Sequence, residues 1–322
     1  MELIDWLANP TWKSEIVLCF IAVFILYFGF KKRSELSRHA AENTVATLLV
    51  GGANIFVAIY FLNDLNALAQ SAYKSLSIPT LDPEFWDTTP FWIVCLIGVA
   101  AKDFVDYWNH RLMHTKWGWP THAAHHSDTH VNAFTANRIH FLEAFLMTCS
   151  YILLLTWLQM PYAIPVVIIF HTLHSKYVHM DLEFEHGPLK YLIASPVYHR
   201  WHHADVPEAY GKNLANVMPI YDVMFGTYYN PGKCDAPMGA LKSGIADKNP
   251  VLILIYPFQE WARLIRQAWS DHVQAKTEQR DRPAAADDAS AAPQPAERHS
   301  LSLIHISEPT RPPSTSRMPS SA

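Results

Sequence analysis

The sequence predicts an all-α integral-membrane protein, a helical bundle of four to five spans beneath a cytosolic histidine-rich helical cap. Half of the 322 residues are hydrophobic and only 17% are charged, against about a quarter in an ordinary soluble domain. Five separate apolar stretches approach the length a bilayer core demands. Fourteen of the 18 histidines crowd between His110 and His203.

The stretches follow in order. Residues 12–30 form the first, marginal in length, with Lys13 and Glu15 near its start. Residues 44–62 are free of charge throughout. Residues 90–101 form the third, after which Lys102, Asp103 and Asp106 appear. Residues 141–160 carry one acid, Glu143. Residues 162–178 contain His171, His174 and Lys176 and read either as a span or as a re-entrant segment. Lys31, Lys32, Arg33 and Arg38 place the first loop in the cytoplasm, whereas Asp64, Asp82, Glu84 and Asp87 against one lysine, Lys74, place the next one outside. A hairpin about Pro161 then brings every histidine cluster to the cytoplasmic face.

Residues 251–272 read as an amphipathic or interfacial helix whose first part Pro257 breaks. The expected domain covers 1–275. Residues 276–322 turn to Ala, Pro, Ser and charge and read as a disordered tail. Within it, SLIHISEPTRP at 302–312 resembles translated sequencing-adapter read-through and is set aside. The first apolar run lacks the basic start of a cleavable signal peptide, and no repeat is evident beyond the histidine boxes. A net charge of −4 gives no reason to expect a nucleic-acid partner. Cys19, Cys95, Cys149 and Cys234 form no CxxC pair and read as buried thiols rather than disulfides or a zinc ribbon.

Four boxes carry the chemistry: HRLMH at 110–114, HAAHH at 122–126, HSKYVH at 174–179 and HRWHH at 199–203. Helical residues three and four apart share a face, so His110 and His114 point the same way and His122, His125 and His126 converge similarly; each box supplies two or three imidazoles, and two metals require the boxes to meet in space. Roughly 0.06 HxxHH patterns are expected in a shuffled chain of this composition, and two are present. Clustered imidazoles repel when protonated and cost desolvation when buried; a metal relieves both. His39, His272, His299 and His305 have no histidine at ligand spacing and read as ordinary residues. About ten histidines overfill tetrahedral zinc sites, and two irons with open positions for dioxygen suit the count better. The absence of HExxH argues against a zincin-type protease, and the single ExxH pair, Glu183 and His186, reads as incidental. Asp103 and Asp106 fall on the helical stripe of His110, which suggests Asp106 as a carboxylate orienting that ring, the bland reading being charges solvated at a helix end. Asn132, Arg138 and Asn213 read equally as site support or polar packing. Trp117, Trp119 and Trp201 flank the boxes as interfacial anchors first and a substrate gate second.

The stretch 103–231 resembles the fatty acid hydroxylase/sterol desaturase superfamily of membrane oxygenases. The resemblance rests on DFVDYWNHRLMH at 103–114, HAAHHS at 122–127 continued by NAFTANR at 132–138, SPVYHRWHH at 195–203 and the closing DVMFGT at 222–227. It implies metal ligation by His110, His114, His122, His125, His126, His199, His202 and His203. His174 and His179 match the intermediate histidines, with His171 offering a competing register. It further implies two iron ions, dioxygen as co-substrate, hydroxylation or desaturation of a lipid such as a sterol or fatty acyl chain, and a separate electron-donor protein, since no haem or flavin fingerprint is present. No catalytic residue beyond the metal ligands is expected, and the oligomeric state is left open. The reading from a different class is a non-catalytic metal-binding or metal-transport membrane protein. It would spread histidines along a path through the spans, whereas the boxes lie mainly in polar segments on one side.

Overall fold

The computed structural model describes residues 38–160 and 162–281. The first apolar stretch, Cys19 and the tail from 282, with His299 and His305, lie outside them. Eight α-helices order the described residues: α1 (Arg38–Ser75), α2 (Phe91–Met113), α3 (Trp119–His126), α4 (Phe141–Leu158), α5 (Ile164–Val178), α6 (Pro196–His202), α7 (Ile220–Phe225) and α8 (Pro250–Asp281). Short 3-10 turns join them, and among the described residues the only β-pairing is an isolated bridge between Ala204 and Met238. The architecture is all-helical. The chain divides after Asp271 into two compact units.

Four long helices frame the site: α4 packs on α1 and α2, and α2 also packs on α5. On α1, Asn43, Ala46, Thr47 and Val50 recur at three- and four-residue spacing and are all buried, the stripe a helix needs to seat against a neighbour. A Cβ on Gly98 of α2 would stand 2.7 Å from Val167 Cγ2 on α5, so glycine sets the approach of those helices. α4 starts at His140, whose Nδ1 accepts from the Leu142 amide at 3.2 Å while Nε2–H donates to the Leu254 carbonyl at 3.0 Å. It ends at Gln159, which takes the left-handed conformation at φ 52°.

Among the described residues, α4 alone is both long and apolar enough to cross a membrane, and α5 is apolar but has 15 residues. Two local expectations change. Lys102, Asp103 and Asp106 are not solvated beyond a helix end: α2 runs straight through them and all three are buried. Lys102 pairs with Asp106 at 2.8 Å and Asp103 accepts from two backbone amides, which makes burial tolerable. Pro257 does not break α8 either. The ladder bond it forfeits is offset by the packing of Ile253 and Tyr256 with Ala46, Val50, Ala123 and Ala124 in one core cluster. Past the point where composition turns polar, α8 continues to Asp281. Cys95, Cys149 and Cys234 are free thiols.

Candidate metal centre

The two HxxHH boxes fall on α3 and at the end of α6, and helical spacing decides what each histidine does. His122 and His126, four apart, turn to one side with His110, His114 and His202; His125, three on from His122, turns away to meet His179, His199 and His203. The α6 box divides in the complementary way, His199 and His203 going to the second group and His202 to the first. Each box therefore feeds both groups. Within either group the potential ligand atoms all lie within 4.8 Å of one another. Nine of the ten histidines expected as ligands are gathered; His174 is not. Its ring stacks on Phe170 at 5.8 Å and lies 5.8 Å from Tyr177, so the intermediate box delivers His179 alone. The competing His171 joins neither group and sits by Asp103 and Asp106.

The hydrogen bonds fix which ring nitrogen is bare. His110 Nδ1 lies 2.7 Å from the Leu214 carbonyl, His202 Nδ1 2.8 Å from that of Lys212, and His179 Nδ1 2.6 Å from that of Ser175. A carbonyl only accepts, so each Nδ1 carries the proton and each Nε2 presents a lone pair. His122 Nδ1–H donates to Glu143 Oε1 at 2.8 Å, which sets the same tautomer. His110 Nε2 and His122 Nε2 then face each other at 2.9 Å with a lone pair apiece. Two acceptors at that separation repel unless a cation lies between them. Ligand atoms about 2.1 Å from one ion and at right angles to each other stand about 3 Å apart, so the spacing suits a shared metal. In the second group His179 Nε2 lies 3.0 Å from His199 Nε2 and 3.2 Å from those of His125 and His203. The Nε2 atoms of His114, His126 and His202 are buried with no hydrogen-bond partner. Such orphans are rare in a finished fold, and an ion would satisfy them all. The residues fit a metal pair.

Burial holds the imidazoles of His122, His125, His126, His199, His202 and His203 well below their ordinary protonation range, and mutual repulsion adds to it. His179 is lowered to about 4, again chiefly by desolvation. Neutral imidazole is the form that ligates.

The expected role of Asp106 as the orienter of His110 is corrected. The stripe is real, but Lys102, one turn earlier, takes Asp106 Oδ2 at 2.8 Å, Tyr151 donates its hydroxyl to Oδ1, and the nearest histidine is His171 at 3.4 Å. Asp103 instead accepts from the amides of Val217 and Met218 at 2.9 and 2.6 Å, anchoring the loop whose Leu214 carbonyl orients His110. Asp222 anchors that loop from its other side, accepting from the Leu214 and Ala215 amides at 2.7 and 2.9 Å and from Thr227 at 2.7 Å. Asn213, at φ 56°, holds the neighbouring turn through the carbonyls of Tyr198 and Tyr229. Arg138 is fully buried and caps α3, donating to the Ala124 carbonyl at 3.1 Å and the Ser127 hydroxyl at 2.7 Å. Asn132 is local: it accepts from the Phe134 amide in its own turn. Trp119 lies 5.2 Å from the His126 ring and donates to Ser243; Trp201 donates to the Gly232 carbonyl; Trp117 is half exposed. His186 spends both ring nitrogens on Tyr177 and the Ile193 carbonyl, consistent with an incidental ExxH pair. The carboxylate of Glu143 was visible only as a lone acid in an apolar run, and the carbonyl partners leave no sequence signal at all.

A cavity of about 480 Å³ opens between α2, α4 and α5. Its wall carries His110, His122, His125, His179 and His199 together with apolar side chains such as Met147, Ile152, Leu155 and Ile168 and polar ones that include Lys102, Asp106 and Lys176. A second cavity of about 320 Å³ reaches His114, His126 and His202 past Asp205, Tyr210 and Lys242.

A fatty acid hydroxylase family model matches residues 95–227, the segment that holds both histidine groups. Residues 95–227 are thus similar to a fatty acid hydroxylase domain, over about two fifths of the chain. Similar proteins include an alkylglycerol monooxygenase of Xenopus tropicalis, 32% identical over 48% of this chain and 33% of its own length. An ornithine lipid hydroxylase of Rhizobium tropici is 27% identical over 68% of each chain. A very-long-chain aldehyde decarbonylase of Oryza sativa subsp. japonica is 25% identical over 44% of this chain and 24% of its own. The match spans about a third of the alkylglycerol monooxygenase. No solved structure matches the chain.

Proposed function

We propose that this chain is a member of the fatty acid hydroxylase superfamily, an integral-membrane, non-haem di-iron oxygenase that hydroxylates a membrane lipid. The observation that carries the proposal is the pair of largely buried histidine groups, fed alternately by the two HxxHH boxes, in the wall of a mainly apolar cavity. Five imidazoles in one group and four in the other suit two irons, one held by His110, His114, His122, His126 and His202, the other by His125, His179, His199 and His203. When bound, such a pair supplies reductive activation of dioxygen and attack on an unactivated C–H bond.

The chain's own residues supply the rest. Carbonyls of Leu214, Lys212 and Ser175 and the carboxylate of Glu143 hold the ring orientation and the tautomer. The apolar wall from Met147 to Ile168 excludes water and lays a hydrocarbon chain against His110 and His199. The second cavity offers polar access to His114, His126 and His202 without passing the lipid. Electrons come from a separate donor protein. The relatives named as a monooxygenase and a hydroxylase favour oxygen insertion over desaturation.

For the membrane arrangement we infer four to five spans, at 12–30, 44–62, 90–101, α4 and α5, with the histidine boxes at the cytoplasmic face. Periplasmic or luminal accessibility of a cysteine placed beside His203 would refute that side assignment. The activity is tested by loading purified protein with iron and following oxygen uptake with a reductant and membrane lipid extract. Lipid-dependent uptake with a hydroxylated product is expected, and lost in His125→Ala and His202→Ala but not in His272→Ala. Stoichiometric metal without any uptake would favour the metal-binding reading.

A further inference from the structure

Several polar side chains join the apolar ones in the cavity wall, among them Lys176, which donates to Asn137 at 2.9 Å, and one group of them pairs opposite charges. Lys102 and Asp106 of α2 and Tyr151 of α4 all line the cavity. Lys102 Nζ donates to Asp106 Oδ2 at 2.8 Å and stands 3.8 Å from the centre of the Tyr151 ring, and the Tyr151 hydroxyl donates to Asp106 Oδ1. Both charged residues are more than nine-tenths buried. Burying an ion pair among apolar helices is expensive and is neutral in stability at best, so a purely structural role is a poor return. The cluster has a defined place. Asp106 and Lys102 lie four and eight residues before His110 on one helical stripe, about 6 and 12 Å along the axis. An ammonium has three N–H donors, and Asp106 takes one of them.

We propose that Lys102, Asp106 and Tyr151 form a polar subsite for an uncharged, oxygen-bearing group of the lipid, a hydroxyl or a carbonyl, and so set how far from that group the oxidised carbon lies. The pair is already neutral as a whole, so a carboxylate would meet Asp106 and a cation would meet Lys102. A neutral dipole satisfies both: its oxygen accepts from Lys102, and a hydroxyl proton can go to the Asp106 carboxylate. The inference rests on the cavity being the lipid site, as in the proposed function, but not on turnover.

Equilibrium binding of radiolabelled 1-octadecanol and octadecane to the full-length, iron-loaded protein in detergent micelles tests it. The intact protein should bind the alcohol about tenfold more tightly, the worth of one hydrogen bond to a charged group. That preference should shrink to about twofold in the Lys102→Met/Asp106→Asn double variant, which keeps the site neutral, and fall partway in Tyr151→Phe. Equal affinity for the two probes in the intact protein, or a preference that survives in both variants, overturns the subsite. The failure is separable from that of the function, because a chain that binds the alcohol selectively yet never consumes oxygen keeps the subsite and loses the oxygenase.

Discussion

At the scale of single residues, the tautomer of His122 is the most exposed link. Glu143 accepts its Nδ1 proton and has no other partner for Oε2. Replacing such an outer carboxylate typically costs 10- to 100-fold in metal affinity, so Glu143→Ala should weaken iron binding by about that range in a chelator competition while the fold persists. Unchanged competition would remove Glu143 from the centre. The histidines separate similarly: His202→Ala should cost about one of two metals per chain, and His174→Ala none, by elemental analysis of purified protein. Eight of these ligands were legible because HxxHH and HxxxH spacings place imidazoles on helical faces, and His179 only through the family resemblance. The orienting groups were not. Backbone carbonyls have no identity in a sequence, and Asp106 was misassigned because its stripe is shared with Lys102, whose opposite charge captures it.

At the scale of elements, two close approaches fix where the boxes sit. A Cβ on Gly118, in the turn from α2 to α3, would fall 2.2 Å from the Leu112 carbonyl oxygen and 2.7 Å from Met113 Cα. Backbone cannot yield there as a flexible side chain could, so Gly118→Ala should shift α3 against α2 and lower metal content, with the helical circular dichroism retained. Full metal content in that variant would contradict the assigned geometry. The closing segment matters equally. Asp222 serves Leu214, Ala215, Thr227 and Tyr198, and leaving such buried donors unpaired costs about 1–3 kcal/mol each. Asp222→Ala should therefore lose at least about 3 kcal/mol in a denaturant titration. Helix existence was readable from apolar length. The continuity of α2 through Lys102–Asp106 and of α8 through Pro257 was not, because both depend on tertiary partners that repay a local cost.

Across the whole molecule, a shell of neutral imidazoles makes the apoprotein acid-sensitive. In the unfolded chain these rings titrate near 6.5, whereas burial depresses His122, His125, His126, His199, His202 and His203, and takes His179 to about 4. The unfolded state therefore binds more protons once the pH falls below about 6.5, and folding stability falls with it until the folded-state values are passed. Thermal unfolding of the metal-free protein should move to lower temperature between about pH 6.5 and pH 4; a midpoint constant from pH 6.5 to pH 4 would contradict the burial. The central claim, two ions in unequal histidine groups, meets its most direct test in anaerobic reconstitution with isotopically enriched ferrous iron followed by Mössbauer spectroscopy. Two irons per chain in two distinct environments of equal area are predicted. One iron or fewer per chain, with further iron bound only loosely and unaffected by His125→Ala and His202→Ala, would contradict it.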